Sequence, residues 1–258
     1  MTGLLLGVLL GRVASGVVAE ALGWRAVFLL AAVSTIAVVP LLRRRMPEMP
    51  SPGELSYREA LASLWDLIRE QPVLREAALL GFLVFAAFIA FWTNLTFLLG
   101  SPHYRLGAGV AGSFGMVGAA GAMIASPMGK LADRHGPRVT LTLALGLLTG
   151  GYVLLWAFGY RLAGLIAGVI VLDLGQQTMQ ISNQTRIFDL SRTARSRINT
   201  VYMIVFFVGG ALGSAVSAMA WSRWEWNGVC GWGLGMLALA WVCHGWGSRR
   251  LVCRVGYR

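Results

Sequence analysis

Ala77-Ala78-Leu79-Leu80-Gly81-Phe82-Leu83-Val84-Phe85-Ala86-Ala87-Phe88-Ile89-Ala90-Phe91-Trp92-Thr93-Asn94-Leu95-Thr96-Phe97-Leu98-Leu99 runs for 23 residues without a charge. Coiled as a helix at 1.5 Å per residue it reaches ~35 Å, enough to cross a hydrocarbon core about 30 Å thick. Outward from it, seven further apolar blocks stand between polar or Pro/Gly breaks, at about 2–20, 26–42, 107–128, 139–158, 162–183, 200–221 and 228–247. All eight are expected to be helices. In hydrocarbon a backbone amide must find its partner within the segment, and these blocks are too long and too evenly apolar for barrel strands.

The composition agrees. The chain has 258 residues, of which 57% are hydrophobic and 13% charged, with a mean hydropathy of +0.67. A soluble domain carries about 25% charged residues, so an ordinary soluble enzyme or binding module is excluded and an all-α polytopic membrane protein is expected. The opening block has no basic leader, carries Arg12 in its middle and is followed at once by another span. It reads as a span and not as a cleaved signal peptide.

Twenty-two basic residues against 11 acidic ones give a net charge of +11. In a soluble chain that would suggest nucleic acid; here the arginines sit at the ends of apolar blocks, where they orient spans. If the loop after the second span is cytoplasmic, 17 basic residues fall inside, from Arg43-Arg44-Arg45 to Arg258, and 4 fall outside: Arg25, Arg105, Arg161 and Arg223. Both termini are then expected in the cytoplasm, in contact with lipid and with no nucleic-acid partner. Arginine outnumbers lysine 21 to 1, a usage that hints at a GC-rich bacterial genome and hence a bacterial inner membrane. Cys230, Cys243 and Cys253 form no CxxC and have no histidine at ligand spacing, so free thiols, no metal and no cofactor are expected.

The connection at 43–76 divides the chain into residues 1–42, with two spans, and residues 77–247, with six, before a tail at 248–258. Within it Ser56 and Glu59 form a capping box, and Tyr57, Leu61, Leu64, Trp65 and Ile68 recur at helical spacing until Pro72. This predicts an amphipathic helix at the cytoplasmic surface, either tying two bundles together or lying solvated with a greasy side. Small residues recur every fourth position in the first span (Gly3, Gly7, Gly11, Ser15) and the seventh (Gly209, Gly213, Ser217), and more closely in the fourth (Gly112, Gly115, Gly118, Gly121). Such stripes let helix backbones approach closely.

Of the 11 acids only Asp173 lies near the middle of a span. An ionisable group there is costly enough to mark function by default. Asp173, Gln177, Gln180 and Gln184 share one helix side, with Gln176 beside them. Either the stripe faces a central cavity, where Asp173 takes up and releases a proton or pairs with a cationic substrate, or Asp173 is an interhelical hydrogen-bonding group. Trp92, Thr93 and Asn94 form a second cluster, lining a cavity or bonding helix to helix. Arg12 either snorkels inward or pairs with an acid of a helix outside this chain, and Glu20 is expected to be wet.

Between the fourth and fifth spans stands Gly129-Lys130-Leu131-Ala132-Asp133-Arg134-His135-Gly136-Pro137-Arg138, an acid among basic residues in a tight turn. Gly129, Leu131, Asp133, Arg134, Gly136, Arg138 and Leu141 closely resemble the G-x-L-a-D-r-x-G-r-k signature of the major facilitator superfamily. Pro137 stands where that family has a basic residue. Gly23-Trp24-Arg25-Ala26-Val27-Phe28 looks like the family's turn between helices five and six. Asn183-Gln184-Thr185-Arg186 and Ala194-Arg195-Ser196-Arg197-Ile198-Asn199-Thr200-Val201-Tyr202 resemble the inner loop before helix eleven in its drug and sugar efflux branch. The resemblance covers nearly the whole chain and implies a major facilitator-type bundle beginning at the family's fifth helix. It also implies that the signature loop is a cytoplasmic gate latch, its acid near Ile198 to Thr200. The implied function is secondary transport, proton-coupled efflux of a small organic molecule. The alternative is a truncated chain without transport of its own, relying on self-association or a separate N-terminal half. No H-E-x-x-H or G-x-S-x-G motif is present, and His103, His135 and His244 lie in or near loops or span ends, so no enzyme is expected.

Overall fold

A computed structural model describes residues 2–45, 57–124, 136–191 and 194–255. Among these every regular element is a helix: α1 (Thr2–Leu22), α2 (Trp24–Arg45), α3 (Tyr57–Glu70), α4 (Pro72–Gly100), α5 (Ala108–Ile124), α6 (Pro137–Phe158), α7 (Leu162–Phe188) and α8 (Arg195–Val255). The 61 residues of α8 are interrupted at Glu225, whose φ of 49° and ψ of −136° are not helical. The chain turns there, so α8 has two arms. Counting both arms and setting α3 aside, the helices stand where the eight apolar blocks predict them.

Among the described residues five helices are by length and composition sufficient to cross a membrane: α2, α4, α6, α7 and α8 from Arg195 to Trp246, the last with 52 residues. At 1.5 Å per residue that last stretch is ~78 Å, more than two bilayer crossings. The other two expected spans are α1, with 21 residues, and α5, with 17. Prolines start two of the helices. Pro72 at the first turn of α4 and Pro137 at that of α6 lack only an N–H that the helix could not use there. The helices also outrun the blocks. α4 begins five residues before Ala77, and α8 continues to Val255 through much of the stretch expected as a tail.

Residues on α4, α6, α7 and the second arm of α8 make up the main core, among them Phe91, Leu95, Leu145, Leu148, Tyr152, Leu172 and Trp226. Tyr152 donates its hydroxyl to the Ala87 carbonyl, and the Trp226 indole donates to the Leu155 carbonyl at 2.9 Å. Both satisfy the polar end of a buried aromatic. A smaller cluster joins α4 to the first arm of α8 through Leu74, Ala77, Ile198, Tyr202 and Phe206, and Leu64, Leu67 and Ile68 of α3 pack against it. The greasy side of α3 is therefore seated on the bundle, while Trp65 stays exposed with the Arg69 guanidinium 5.1 Å from its ring centre. Ser56, the expected cap, lies outside the described residues.

The chain reverses between α1 and α2 at Gly23, whose φ of 81° suits only glycine without strain. α1 lies against α5, with an added Cβ at Gly16 falling 3.7 Å from the Gly112 Cα. Gly7 and Gly11, by contrast, have open space around them, so their part of the first-span stripe is not a packed seam among the described residues. Among the described residues α2 touches only α1, and none of its residues is buried.

At the opposite end of the core from α3, two short connections are clasped together. The Tyr104 hydroxyl donates to the Gly159 carbonyl at 2.8 Å, and the His103 ring donates to the Tyr160 carbonyl at 2.7 Å. Burial pushes both the Tyr104 and Tyr160 phenols above their ordinary value.

Candidate functional site

Asp173 sits midway along α7 and is buried, 7% exposed. What lets it sit there is Gly118 of α5. A Cβ built on that glycine would fall 3.0 Å from Asp173 Oδ2 and 3.1 Å from Oδ1. The carboxyl group thus rests against bare backbone, and Gly118 belongs to the small-residue series read from the sequence. One turn along, Gln176 is also buried, and its Oε1 has no hydrogen-bond partner among the described residues. Gln180 Oε1 accepts from the Tyr202 hydroxyl of α8 at 3.2 Å. Gln177 and Gln184 are half-buried.

The buried polar side of α7 is rotated from the expected one. It passes through Asp173, Gln176, Asn183 and Arg186 rather than through Gln177 and Gln184. Asn183 donates to the Ala77 carbonyl of α4 at 3.3 Å, and Arg186 pairs with Glu76 of α4 at 3.1 Å. Both members of that ion pair are largely buried, with side chains 6% and 12% exposed. Glu76 was not singled out by sequence reasoning, because a partner 110 residues away leaves no local pattern. The signal available was Asn183 and Arg186 standing three residues apart, neighbours on one side of the helix. On the adjoining helices Thr142 of α6 meets the His244 ring of α8 at 2.9 Å.

Trp92, Thr93 and Asn94 face a different neighbour. Thr93 donates to Ser214 at 3.0 Å and Asn94 to Ser217 at 2.9 Å, both across the α4–α8 interface, and Asn94 also donates to the Ala90 carbonyl of its own helix at 2.8 Å. Trp92 packs edge-on against Phe88 and Phe91. The glycine series of the seventh span runs along the same seam. A Cβ at Gly209 would come within 2.8 Å of the Phe82 Cα, and one at Gly213 within 2.6 Å of the Ala86 Cα. Gly209, Gly213 and Ser217 thus meet Phe82, Ala86 and Asn94 in the same order along both helices, and at the two glycines the small residues bring parallel helices into backbone contact.

Of the signature segment, Gly129, Leu131, Asp133 and Arg134 lie outside the described residues. Gly136 and Arg138 are described. Gly136 has a φ of 82° and precedes Pro137 at the start of α6, a backbone turn that favours glycine. Arg138 lies in the first turn, and Leu141 is fully buried in the core. The start of α8, where the resemblance places the latch acid, is fixed by the Ala194 amide donating to Ser191 Oγ at 3.2 Å and by buried Ile198. Among the described residues no group of three His, Cys, Asp or Glu is placed to hold a metal ion.

A deep, mid-span carboxyl, a polar helix side and paired charges at one end suit a solute pathway through a helical bundle better than a reaction centre. Comparison with known proteins agrees. The family model described as Major Facilitator Superfamily matches residues 1–214 and 118–250. The chain is 42% identical over 230 residues to "Uncharacterized transporter YgaY" of Escherichia coli O157:H7, covering 89% of this chain and 58% of that protein. It is 32% identical over 254 residues to "Probable transporter SCO4007" of Streptomyces coelicolor, covering 95% and 56%. With "Uncharacterized MFS-type transporter YybF" of Bacillus subtilis it shares 23% over 251 residues, covering 96% and 61%. The chain therefore spans a little under three-fifths of the first two relatives' length. It belongs to the Major Facilitator Superfamily, a family of membrane transporters and not of enzymes.

Proposed function

We propose that this chain takes part in proton-coupled efflux of a small organic molecule, of drug or sugar type, across a bacterial inner membrane with both termini in the cytoplasm. The observation that carries the proposal is the burial of Asp173 against Gly118 in mid-span, beside the unpartnered Gln176 Oε1. A carboxylate far from water is stabilised by a proton or by a cationic ligand, and either exchange can be tied to a change of access from one side to the other. Gln176, Gln177 and Gln180 would offer uncharged hydrogen bonds to the solute, while Thr93 and Asn94 bond helix to helix in the α4–α8 seam. A buried acceptor without a partner is a place for a ligand group or water.

In this reading the Glu76–Arg186 pair, at the end nearest α3, and the signature residues Gly129, Leu131, Asp133, Arg134, Gly136 and Arg138 act as the inner latch. The arginine bias in the loops supports the orientation. Everted vesicles carrying the protein test the proposal. Asp173→Asn is expected to insert normally and to lose substrate-driven proton flux, and unchanged flux would leave Asp173 as a bonding group only. Asp133→Asn is expected to slow exchange without preventing insertion, and equal rates would remove the latch role.

A second reading is favoured by the helices at the chain's beginning. α2 buries none of its residues and Gly7 and Gly11 face open space, which fits a chain that works only beside another half, whether a second copy or a separate chain. Light scattering of the purified protein separates the two, since a monomer active in vesicles contradicts the second.

A further inference from the structure

An open groove of about 250 Å³ lies between α3, α4 and the first arm of α8, away from Asp173. Its walls are Ile68, Leu79, Phe82, Val201 and Val205, and Arg75 is the one charged residue in its lining. Arg75 is exposed, and among the described residues no acid pairs with it, since its neighbour Glu76 is already held by Arg186. The space is smaller than the roughly 300 to 1,000 Å³ of pockets that enclose a drug-sized ligand, but suits a length of hydrocarbon chain. α3 forms one wall with an exposed Trp65 backed by Arg69, and tryptophan with arginine marks the depth of lipid headgroups. The Arg43, Arg44 and Arg45 run ends the preceding helix.

We propose that this groove binds an anionic phospholipid, one acyl chain lying along Phe82 and Val205 and the headgroup phosphate on the Arg75 guanidinium. The apolar walls explain why a chain is held and the lone cation explains which headgroup is preferred, since a guanidinium meets a phosphate through two parallel N–H donors. The lipid fills the space between the linker helix and the bundle.

Native mass spectrometry of the full chain released from detergent tests this, with palmitoyl-oleoyl phosphatidylglycerol and the phosphatidylcholine of the same chains as probes. Retention of phosphatidylglycerol is expected to exceed that of phosphatidylcholine by roughly fivefold, the preference one basic residue gives near an anionic headgroup. Arg75→Gln should abolish the preference, Arg75→Lys should keep most of it, and Val205→Phe, which narrows the groove, should lower retention of both lipids. An unchanged melting temperature for each variant shows that the fold is intact. Equal retention of the two lipids by the native protein, or a preference that survives Arg75→Gln, overturns the proposal.

Discussion

At the scale of single residues, the account rests on groups whose neighbours leave no freedom. Gly118→Ala puts a methyl 3.0 Å from Asp173 Oδ2, so the carboxyl must give by a few tenths of an ångström in a packed site. We expect a loss of about 1 to 3 kcal/mol in thermal stability and a greater loss of proton-coupled flux than Gly16→Ala, where the nearest atom is 3.7 Å away. Glu76→Gln leaves Arg186 buried without its described ion-pair partner. A cost of about 3 to 5 kcal/mol is expected for breaking one side of such a pair, with partial recovery in the Glu76→Gln, Arg186→Gln double variant, read from melting in detergent. Tyr104 gives a pH dependence with a definite sign. Its phenol is held above 10.0 by burial, so the folded state keeps the proton longer than the unfolded one. The stabilisation is complete below about pH 10 and is lost as pH rises through the raised value. Tyr104→Phe should flatten the alkaline limb of the unfolding profile. Asp173 was legible in the sequence because a lone acid in an apolar block is anomalous wherever it points. Gly118 and Glu76 were not, since what makes them matter is a contact with a residue far along the chain.

At the scale of helices, the seam between α4 and the first arm of α8 is the clearest case of sequence dictating packing. Gly213→Leu cannot be accommodated beside the Ala86 backbone without parting the helices, and a loss of about 3 kcal/mol or failure to fold is expected. Gly231→Leu, on the second arm where nothing lies within 4 Å, should be silent. The turn at Glu225 is the opposite case. A non-glycine residue at φ 49°, ψ −136° stores about 1 to 3 kcal/mol, so Glu225→Gly should raise the melting temperature. The apolar blocks showed where α8 has its two arms, but not that one short turn at Glu225 joins them. That close return is held by Trp226 bonding to Leu155 and Trp156 bonding to Asn227, at 2.9 and 2.8 Å. The polar side of α7 was misplaced by a fraction of a turn for a related reason. A helical wheel fixes which residues share a side but not which neighbours face it, and α4 takes the side with Asn183 and Arg186.

At the scale of the whole molecule, the helices, their order and their approximate ends were readable because hydrocarbon enforces them: each span must be long, apolar and internally bonded. The signature segment was equally readable, as a motif whose first residues lie outside the described part. How α1 and α2 sit was not readable, because an exposed apolar helix is ordinary in lipid and carries no mark of what it touches. The proposed orientation makes a direct prediction: reporter enzymes fused after Arg45 and after Arg258 should both be active only in the cytoplasm, whereas a periplasmic signal from either would reverse the topology. The central claim, that Asp173 exchanges a proton within the membrane, is tested most directly by charge movement on a rapid pH step across protein adsorbed to a solid-supported membrane, which needs no knowledge of the solute. The account predicts a transient current in the native chain that is absent from Asp173→Asn of equal folded yield; the same current in both would contradict it.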